Sequence, residues 1–398
     1  MNRRYFDNSA TSFPKPPEVA AAVRDYFDRV HASAGRGAYR EAVESRAILD
    51  AARAAVHRLF HCGPDDHVVF TFNGTDSLNL AIKGLVRPGD HVVTTVLDHN
   101  SVLRPLAALA ADHGVRWTAA PVDPCTTRLD PAVLANALEP RTRLVVVNHA
   151  SNVTGVLQPV ADIAAVCRRH GVRLLVDAAQ SAGHLPIDFA ELGADMLACP
   201  GHKGLLGPLG TGVLVIRGGV ERELRTVREG GTGSWSEEPH QPDALPDRFE
   251  AGSHNAPGLA GLRAGVEWLL ARGLTAIRAH ELALCERLAA RLDAIRGLTW
   301  YGPRDPHQRV AVFSVRVAGY EPGELAALLE SRYGVLARSG LHCAPLAHRA
   351  IGTLERGGTT RLSAGPFTTA DDVDAAAGAL AELARAAQPD IAEVRGAV

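Results

Sequence analysis

The stretch VRLLVDAAQ, residues 172–180, comes before a second apolar run, and the stretch PGHKG, residues 200–204, follows that second run directly. The first stretch is a Val/Leu-rich run that contains Arg173 and ends on Asp177, and the second places Lys203 among glycines directly after another apolar run. A carboxylate at the end of a buried strand needs a positively charged partner, because an unpaired buried charge is costly. Taken alone, Asp177 is better explained as an ordinary N-cap of the next segment. The two stretches together predict that an acid and an accessible amine lie at one edge of a sheet.

The chain around these stretches alternates apolar strands with helix-period segments, from about residue 65 to 217. The predicted strands are 67–72, 91–96, 143–148, 172–177, 195–198 and 213–216. The predicted helices between them include 78–85, 103–113 and 160–170. This alternation predicts a parallel sheet with helices on both faces. Ligands bind at the carboxyl ends of the strands in such sheets.

The later part of the chain predicts a smaller α/β domain. Residues 256–297 have helical patterns, and strand and helix patterns alternate from about 310 to a closing helix near 371–386. We therefore expect an N-terminal segment, 1–20, that packs on the small domain, a large domain at 21–260 and a small domain at 261–398. The Gly- and Pro-rich stretch 229–247 predicts an exposed loop, and the residues after Pro389 are expected to be irregular.

Bulk composition excludes several classes of protein. The chain has 398 residues, of which 46% are apolar and 22% charged, and its net charge of -2 gives no basic surface for nucleic acid. We find no apolar run typical of a signal peptide or a membrane span. The six cysteines are scattered without a C-x-x-C pair, which argues against a disulfide framework or a zinc site. These features predict a cytoplasmic protein without a metal centre.

Other polar residues follow the predicted strands. Gly74 and Thr75 open a helix and offer N–H groups to an anion, although a simple turn with a helix cap explains them equally well. His99 and Asn152 also follow strands, and each has an ordinary surface or turn interpretation. The glycines at 207–212 resemble a dinucleotide motif, but they lead into a strand rather than a helix, so that interpretation fails.

The order of these motifs resembles the class V aminotransferase group of fold-type I enzymes, which use pyridoxal 5'-phosphate (PLP). The motifs are His99, Asn152, DAAQ at 177–180 and GHK at 201–203, and the runs 5–11 and 70–84 match the group too. Within it, the chain is similar to cysteine desulfurases and selenocysteine lyases. The resemblance implies a mostly parallel mixed sheet with helices on both faces and a smaller C-terminal α/β domain.

The resemblance also implies a role for each matching residue. Lys203 would hold PLP covalently and move protons, Asp177 would pair with the ring nitrogen, Gln180 would contact the ring oxygen, and His99 would stack on the ring. The residues assigned to the phosphate are Gly74, Thr75, His202 and, from a partner subunit of a homodimer, Ser253. The residues assigned to the substrate are Asn152, which also contacts the cofactor, Arg361 and Arg338.

Cys343 decides the subclass. It lies in Arg338-Ser339-Gly340-Leu341-His342-Cys343, which resembles the Arg-x-Gly-x-x-Cys loop of the desulfurases. Most lone cysteines are buried packing residues, but a polar loop beside a histidine favours a thiolate. The resemblance therefore implies conversion of L-cysteine to L-alanine, with a persulfide on Cys343 for transfer to a sulfur-acceptor protein.

Two alternatives remain open. Another class V reaction, such as selenocysteine lysis, transamination, epimerisation or β-elimination, would leave Cys343 without a catalytic role. An inactive protein of the same fold that only docks a sulfur carrier would lack part of the cofactor set, which is complete here. The chain also departs from the family pattern at Pro200, Ser253 and His254, where Ser, Thr and Pro are commoner.

Overall fold

The computed structural model describes residues 3–34 and 37–387. The predicted irregular end after Pro389 lies outside the described residues. The strands are β1 (Arg4–Tyr5), β2 (His67–Thr71), β3 (His91–Thr95), β4 (Arg116–Ala120), β5 (Thr142–Asn148), β6 (Arg173–Asp177), β7 (Met196–Pro200), β8 (Gly212–Ile216), β9 (Leu298–Tyr301), β10 (Val312–Val317), β11 (Val335–Leu336), β12 (Arg338–Gly340) and β13 (Thr359–Ser363). The helices are α1 (Pro17–Asp25), α2 (Arg40–Leu59), α3 (Gly74–Leu85), α4 (Asn100–His113), α5 (Pro131–Ala137), α6 (Val160–His170), α7 (Phe189–Leu192), α8 (Ala256–Arg272), α9 (Leu274–Asp293), α10 (Pro322–Tyr333), α11 (Pro345–Ala350) and α12 (Ala370–Ala386).

The large sheet has seven strands in the order β2-β8-β7-β6-β5-β3-β4. Strand β8 runs antiparallel to both neighbours, and the other pairs are parallel. Successive residues point to opposite faces of a strand. Leu174 and Val176 accordingly join the core that α2, α6 and α8 cover, whereas Leu175 joins the core under α3 and α4. The predicted mixed sheet with helices on both faces is confirmed.

A second, four-stranded antiparallel sheet has the order β12-β13-β10-β9. Helices α9, α10 and α12 cover it and form a separate apolar core, to which Phe6 of the N-terminal segment also belongs. Strand β1 pairs with β11 in parallel beside this core. The predicted domain boundary at residue 261 falls inside α8, whose Leu262 and Val266 pack in the core of the large sheet. The boundaries themselves stay predictions.

Several elements were not predicted from sequence. Strand β4 is an edge strand with partly exposed residues, so it lacks the continuous apolar run of the inner strands. Strands β11 and β12 are separated by a single residue, yet they belong to different sheets. In the described part of the chain, no helix combines the length and apolarity needed to cross a membrane.

Candidate active site

A cavity of about 110 Å³ lies at the carboxyl ends of β2, β5, β6 and β7. Parallel strands bring their carboxyl ends to one edge, so residues that are far apart in sequence meet there. Eight residues predicted for the site line the cavity, namely Gly74, Thr75, His99, Asn152, Asp177, Gln180, His202 and Lys203. The structure therefore brings most of the predicted site together in one place.

Asp177 and Lys203 provide the acid and the amine of this cavity. Asp177 ends β6, is 6% exposed, and its Oδ1 accepts a hydrogen bond of 2.9 Å from the N–H of Ala179. Burial raises the pKa of Asp177, and the positive charge of Lys203 opposes this shift. Burial lowers the pKa of Lys203 to about 8, with Asp177 acting in the opposite direction. A substantial fraction of this amine is therefore neutral, and so nucleophilic, near pH 8.

His99 is held in one tautomer. It is the N-cap of α4, where its Nδ1 accepts a 3.0 Å hydrogen bond from the N–H of Ser101, so the ring proton lies on Nε2. The Ser101 hydroxyl lies 2.8 Å from the same nitrogen and 2.7 Å from Oγ1 of Thr75. Burial, reinforced by Lys203, lowers the pKa of His99 to about 4. The cavity therefore has a neutral, fixed imidazole on its wall.

The start of α3 forms the end of the cavity that suits an anion. Oδ1 of Asn73 caps the helix by accepting a 2.9 Å hydrogen bond from the N–H of Asp76. A Cβ at Gly74 would lie 3.1 Å from Cδ of Pro200, so the close approach of β7 leaves little room for a side chain there. His202 faces the same cavity, and its Nδ1 is buried without a hydrogen-bond partner among the described residues.

The N-terminal segment forms part of the site, which the sequence analysis did not predict. The carbonyl of Ser9 accepts a 3.1 Å hydrogen bond from Nε2 of Gln180. The carbonyl of His202 accepts hydrogen bonds from the N–H of Ser12 at 3.2 Å and from Nζ of Lys15 at 3.0 Å. These contacts fix the backbone immediately before Lys203. Ser101 was also missed, although its place two residues after a strand-end histidine is typical of a capped helix start.

Cys343 lies outside the cavity, in an adjoining groove of about 380 Å³. The groove and the cavity share Thr75, His99 and Ser101, so the thiol lies close to the entrance. The Cys343 carbonyl accepts a 2.8 Å hydrogen bond from the N–H of Asn100. The carbonyl of the preceding residue, His342, accepts one of 2.7 Å from Asn152. These bonds hold two successive residues at positive φ, 48° and 58°, and so fix the loop.

Cys343 also differs from the other cysteines in its surroundings. Burial raises the pKa of Cys62, Cys167 and Cys285 to about 12 and raises that of Cys199 still further. Cys343 is exposed, and Nη2 of Arg338 lies 3.9 Å from its Sγ. A neighbouring guanidinium stabilises a thiolate. Cys125 is exposed as well, but it lies in a turn away from the cavity.

Neither of the two predicted substrate arginines lines the cavity. Arg361 is 1% exposed, and its Nη1 donates a 3.2 Å hydrogen bond to the carbonyl of Asn152, which does line the cavity. Its Nη2 lies 2.7 Å from Oδ1 of Asp7. Arg338 is its direct partner across β12 and β13. Both guanidinium groups are close enough to Lys203 to disfavour its protonated form.

Ser253 is not part of the cavity in this chain. It lies in a separate cleft with Phe72, Arg228 and His254. The structure holds this segment through Glu250, whose carboxylate accepts hydrogen bonds from Arg53 at 2.7 Å and from the N–H of Phe70 at 2.7 Å. The role of Ser253 in a partner's site stays a prediction.

The residues present fit PLP. The cavity has an amine, a buried carboxylate, a flat imidazole wall, and at one end a helix start beside the unpartnered Nδ1 of His202. These groups match an aldehyde, a ring nitrogen, a ring face and a phosphate in turn. The large mixed sheet and the smaller antiparallel sheet, with this cavity at the strand ends, define an enzyme of fold type I.

Comparison with known proteins narrows the class. The sequence pattern of the family Aminotransferase class-V matches residues 4–376, so the chain belongs to the class V aminotransferase family. It is 34% identical to a probable cysteine desulfurase of Methanothermobacter thermautotrophicus, over 96% of this chain and 94% of that protein. It is 35% identical to a probable cysteine desulfurase of Pyrococcus abyssi, with the same coverage of 96% and 94%.

Solved structures agree with this assignment. The apo structure of a cysteine desulfurase from Thermococcus onnurineus NA1 superposes with a TM-score of 0.88 at 33% identity, covering 96% of this chain and 95% of that one. A cysteine desulfurase from Escherichia coli superposes with a TM-score of 0.84 at 27% identity, covering 96% and 94%. The family resemblance identified from the motifs is confirmed.

Proposed function

We propose that this chain is a PLP-dependent cysteine desulfurase, which converts L-cysteine to L-alanine and takes the sulfur as a persulfide on Cys343. The observation that carries the proposal is the arrangement of two reactive groups. A cavity holds Lys203 and Asp177, and the groove beside it holds the exposed thiol of Cys343, with His99 on the wall of both. The desulfurase names of the relatives support the same reaction.

The cofactor would be held by residues that already face the cavity. Lys203 would bind the aldehyde, Asp177 the ring nitrogen, Gln180 the ring oxygen, and His99 the ring face. The phosphate would lie at the helix start formed by Gly74 and Thr75, with His202 beside it. When bound there, PLP supplies a positively charged ring that accepts the electron pair developing at the substrate α-carbon.

Lys203 acts on protons in this scheme. Because its pKa is lowered to about 8, the amine can take the α-proton of the substrate and return a proton later. The hydrogen bonds from Ser12 and Lys15 to the carbonyl of His202 hold the backbone of this residue in place.

Cys343 acts on sulfur. Its thiolate attacks the sulfur of L-cysteine, so an S–S bond forms and the C–S bond breaks. The electron pair of that C–S bond stays with the β-carbon, which takes up a proton, and the organic product is L-alanine. Arg338 stabilises the thiolate before the attack. The persulfide then lies in an open groove, from which a sulfur-acceptor protein can take the outer sulfur.

We also propose a homodimer in which Ser253 of one chain reaches the phosphate site of its partner. Ser253 is exposed and lies away from the cavity of its own chain. Its segment is nevertheless held firmly, since Glu250 also pairs with His254 at 2.9 Å. A fixed but exposed hydroxyl of this kind suits a contact between subunits.

The experiment that tests the function is incubation of the purified protein, loaded with PLP, with L-cysteine. We expect alanine to form, and one persulfide per chain to form on Cys343 before an added thiol releases it. Formation of a keto acid, or of alanine without any protein persulfide, would favour one of the other class V reactions instead.

A further inference from the structure

Arg361 is a buried cation that forms an ion pair with a single carboxylate among the described residues. Its side chain is 1% exposed, and among the described residues Asp7 is the one carboxylate that forms an ion pair with it, at 2.7 Å. A buried guanidinium without a counter-charge is strongly unfavourable. Of its five N–H groups, one binds Asp7 and one binds the carbonyl of Asn152. Its Nε is buried without a hydrogen-bond partner among the described residues, so this donor is available to a carboxylate that enters beside Asn152.

Asp7 is itself held by the strand that carries Arg361. It forms a parallel bridge with Ser363, two residues after Arg361 on β13. The N–H of Ser363 donates a 2.7 Å hydrogen bond to the carbonyl of Phe6, and the carbonyl of Ser363 accepts one of 3.4 Å from the N–H of Asn8. The backbone is thus fixed on both sides of Asp7, and the carboxylate itself is held by Nη2 of Arg361.

A second arginine adds to the positive charge that Asp7 has to balance. Arg338 lies directly opposite Arg361 across β12 and β13, and among the described residues it forms no ion pair. Like charges at directly opposite positions repel one another. Asp7 brings the pair of arginines from two positive charges to a net charge of one, which matches a single carboxylate.

We propose that Asp7 is a positioning residue that orients Arg361 and keeps it available for the α-carboxylate of the substrate. The inference deepens the proposed function and rests on it, because it assumes that an amino acid binds in the cavity beside Asn152. Asp7 then determines how strongly the site prefers an amino acid over the same amine without a carboxylate. It does not touch the reacting atoms.

The test compares two ligands in the protein loaded with PLP. L-Alanine carries the α-carboxylate and ethylamine is the same molecule without it, and both are titrated through the absorbance of the bound cofactor. In Asp7→Asn, we expect the affinity for L-alanine to fall by about tenfold or more while that for ethylamine changes by less than about twofold. Asp7→Glu keeps the charge and should lose less of the preference.

Tyr5→Phe is the matched control. It removes hydrogen bonds to the backbone carbonyls of Asp7 and Thr11 but leaves the Asp7 carboxylate in place, so the preference for L-alanine should be kept. Equal losses for both ligands in Asp7→Asn, an unchanged preference, or the same loss in Tyr5→Phe would overturn the proposal. Neither ligand contains sulfur, so the result is independent of whether Cys343 accepts sulfur. Failure of the wild-type protein to form alanine from L-cysteine would instead contradict the proposed function.

Discussion

Nη2 of Arg338 lies 3.9 Å from Sγ of Cys343, which places a guanidinium without an ion-pair partner, among the described residues, beside an exposed thiol. Four other cysteines lie in the apolar interior or at its edge, and burial raises the pKa of each of them. They are Cys62, Cys167, Cys199 and Cys285. One thiol of this chain therefore combines access, a cation and a fixed backbone.

The contact with Arg338 predicts the reactivity of Cys343. Arg338→Gln removes the positive charge beside Sγ, which favours attack by the anionic sulfur, so alkylation of Cys343 by iodoacetamide at pH 7 should slow by about three- to tenfold. The rate is measured by mass spectrometry of the peptide that contains Cys343. Cys125, exposed in a distant turn, gives the internal reference, and its rate should not change. An equal change at both cysteines would show that the substitution acts on the whole protein.

Removal of the thiol should separate cofactor binding from sulfur transfer. Cys343→Ser keeps the cavity intact, so the cofactor absorbance should be unchanged, while alanine formation from L-cysteine should fall by at least about 100-fold. Cys125→Ser is the matched control and should keep the wild-type rate. Normal alanine formation by the Cys343 variant would mean that another group accepts the sulfur.

The lowered pKa of Lys203 predicts a pH dependence for cofactor uptake. Only the neutral amine attacks an aldehyde, and its fraction rises as the pH rises through the pKa. With the pKa lowered from its ordinary value of 10.5 to about 8, the rate of PLP uptake by the apoprotein should rise through about pH 8 and level off above about pH 9. A rate that keeps rising past pH 10 would show an ordinary, solvated lysine.

Asp177 should affect the pH dependence of PLP uptake as well, through the pKa of Lys203. Its negative charge favours the protonated form of Lys203, so Asp177→Asn should move the midpoint of PLP uptake below that of the wild type. The variant should also form alanine at least about 100-fold more slowly, because the ring nitrogen loses its anionic partner. An unchanged midpoint would show that the two side chains are not coupled.

The strand-end motifs were sufficient to predict the class of fold and the wall of the cavity. Asp177 and Lys203 each follow a Val/Leu-rich strand, and parallel strands bring their ends together, so the sequence alone indicated that the two would meet. Ser101 and the α3 cap at Asn73 were not predicted, although local helix signals of the same kind mark both positions. Local patterns of this type depend on neighbouring residues only.

Contacts between distant segments were beyond the reach of these patterns. Asp7 and Arg361 are 354 positions apart, and neither position has a pattern that identifies the other. The burial of Arg361 behind Asn152 was likewise unpredicted, since a strand register decides which side chain reaches a cavity. The edge strand β4 was missed because its residues are half-exposed and lack a continuous apolar run.

The central claim is that Lys203 carries PLP, and the chain offers an unusually clear test because it contains only three lysines, Lys15, Lys83 and Lys203. Lys15 is a demanding internal competitor, since burial lowers its pKa to about 8 as well. The measurement is reduction of the PLP-loaded protein with borohydride, followed by peptide mass mapping. The account predicts a pyridoxyl label on Lys203, and its loss in Lys203→Ala but not in Lys15→Arg. A label on Lys15 or Lys83, or no label on any lysine, would contradict it.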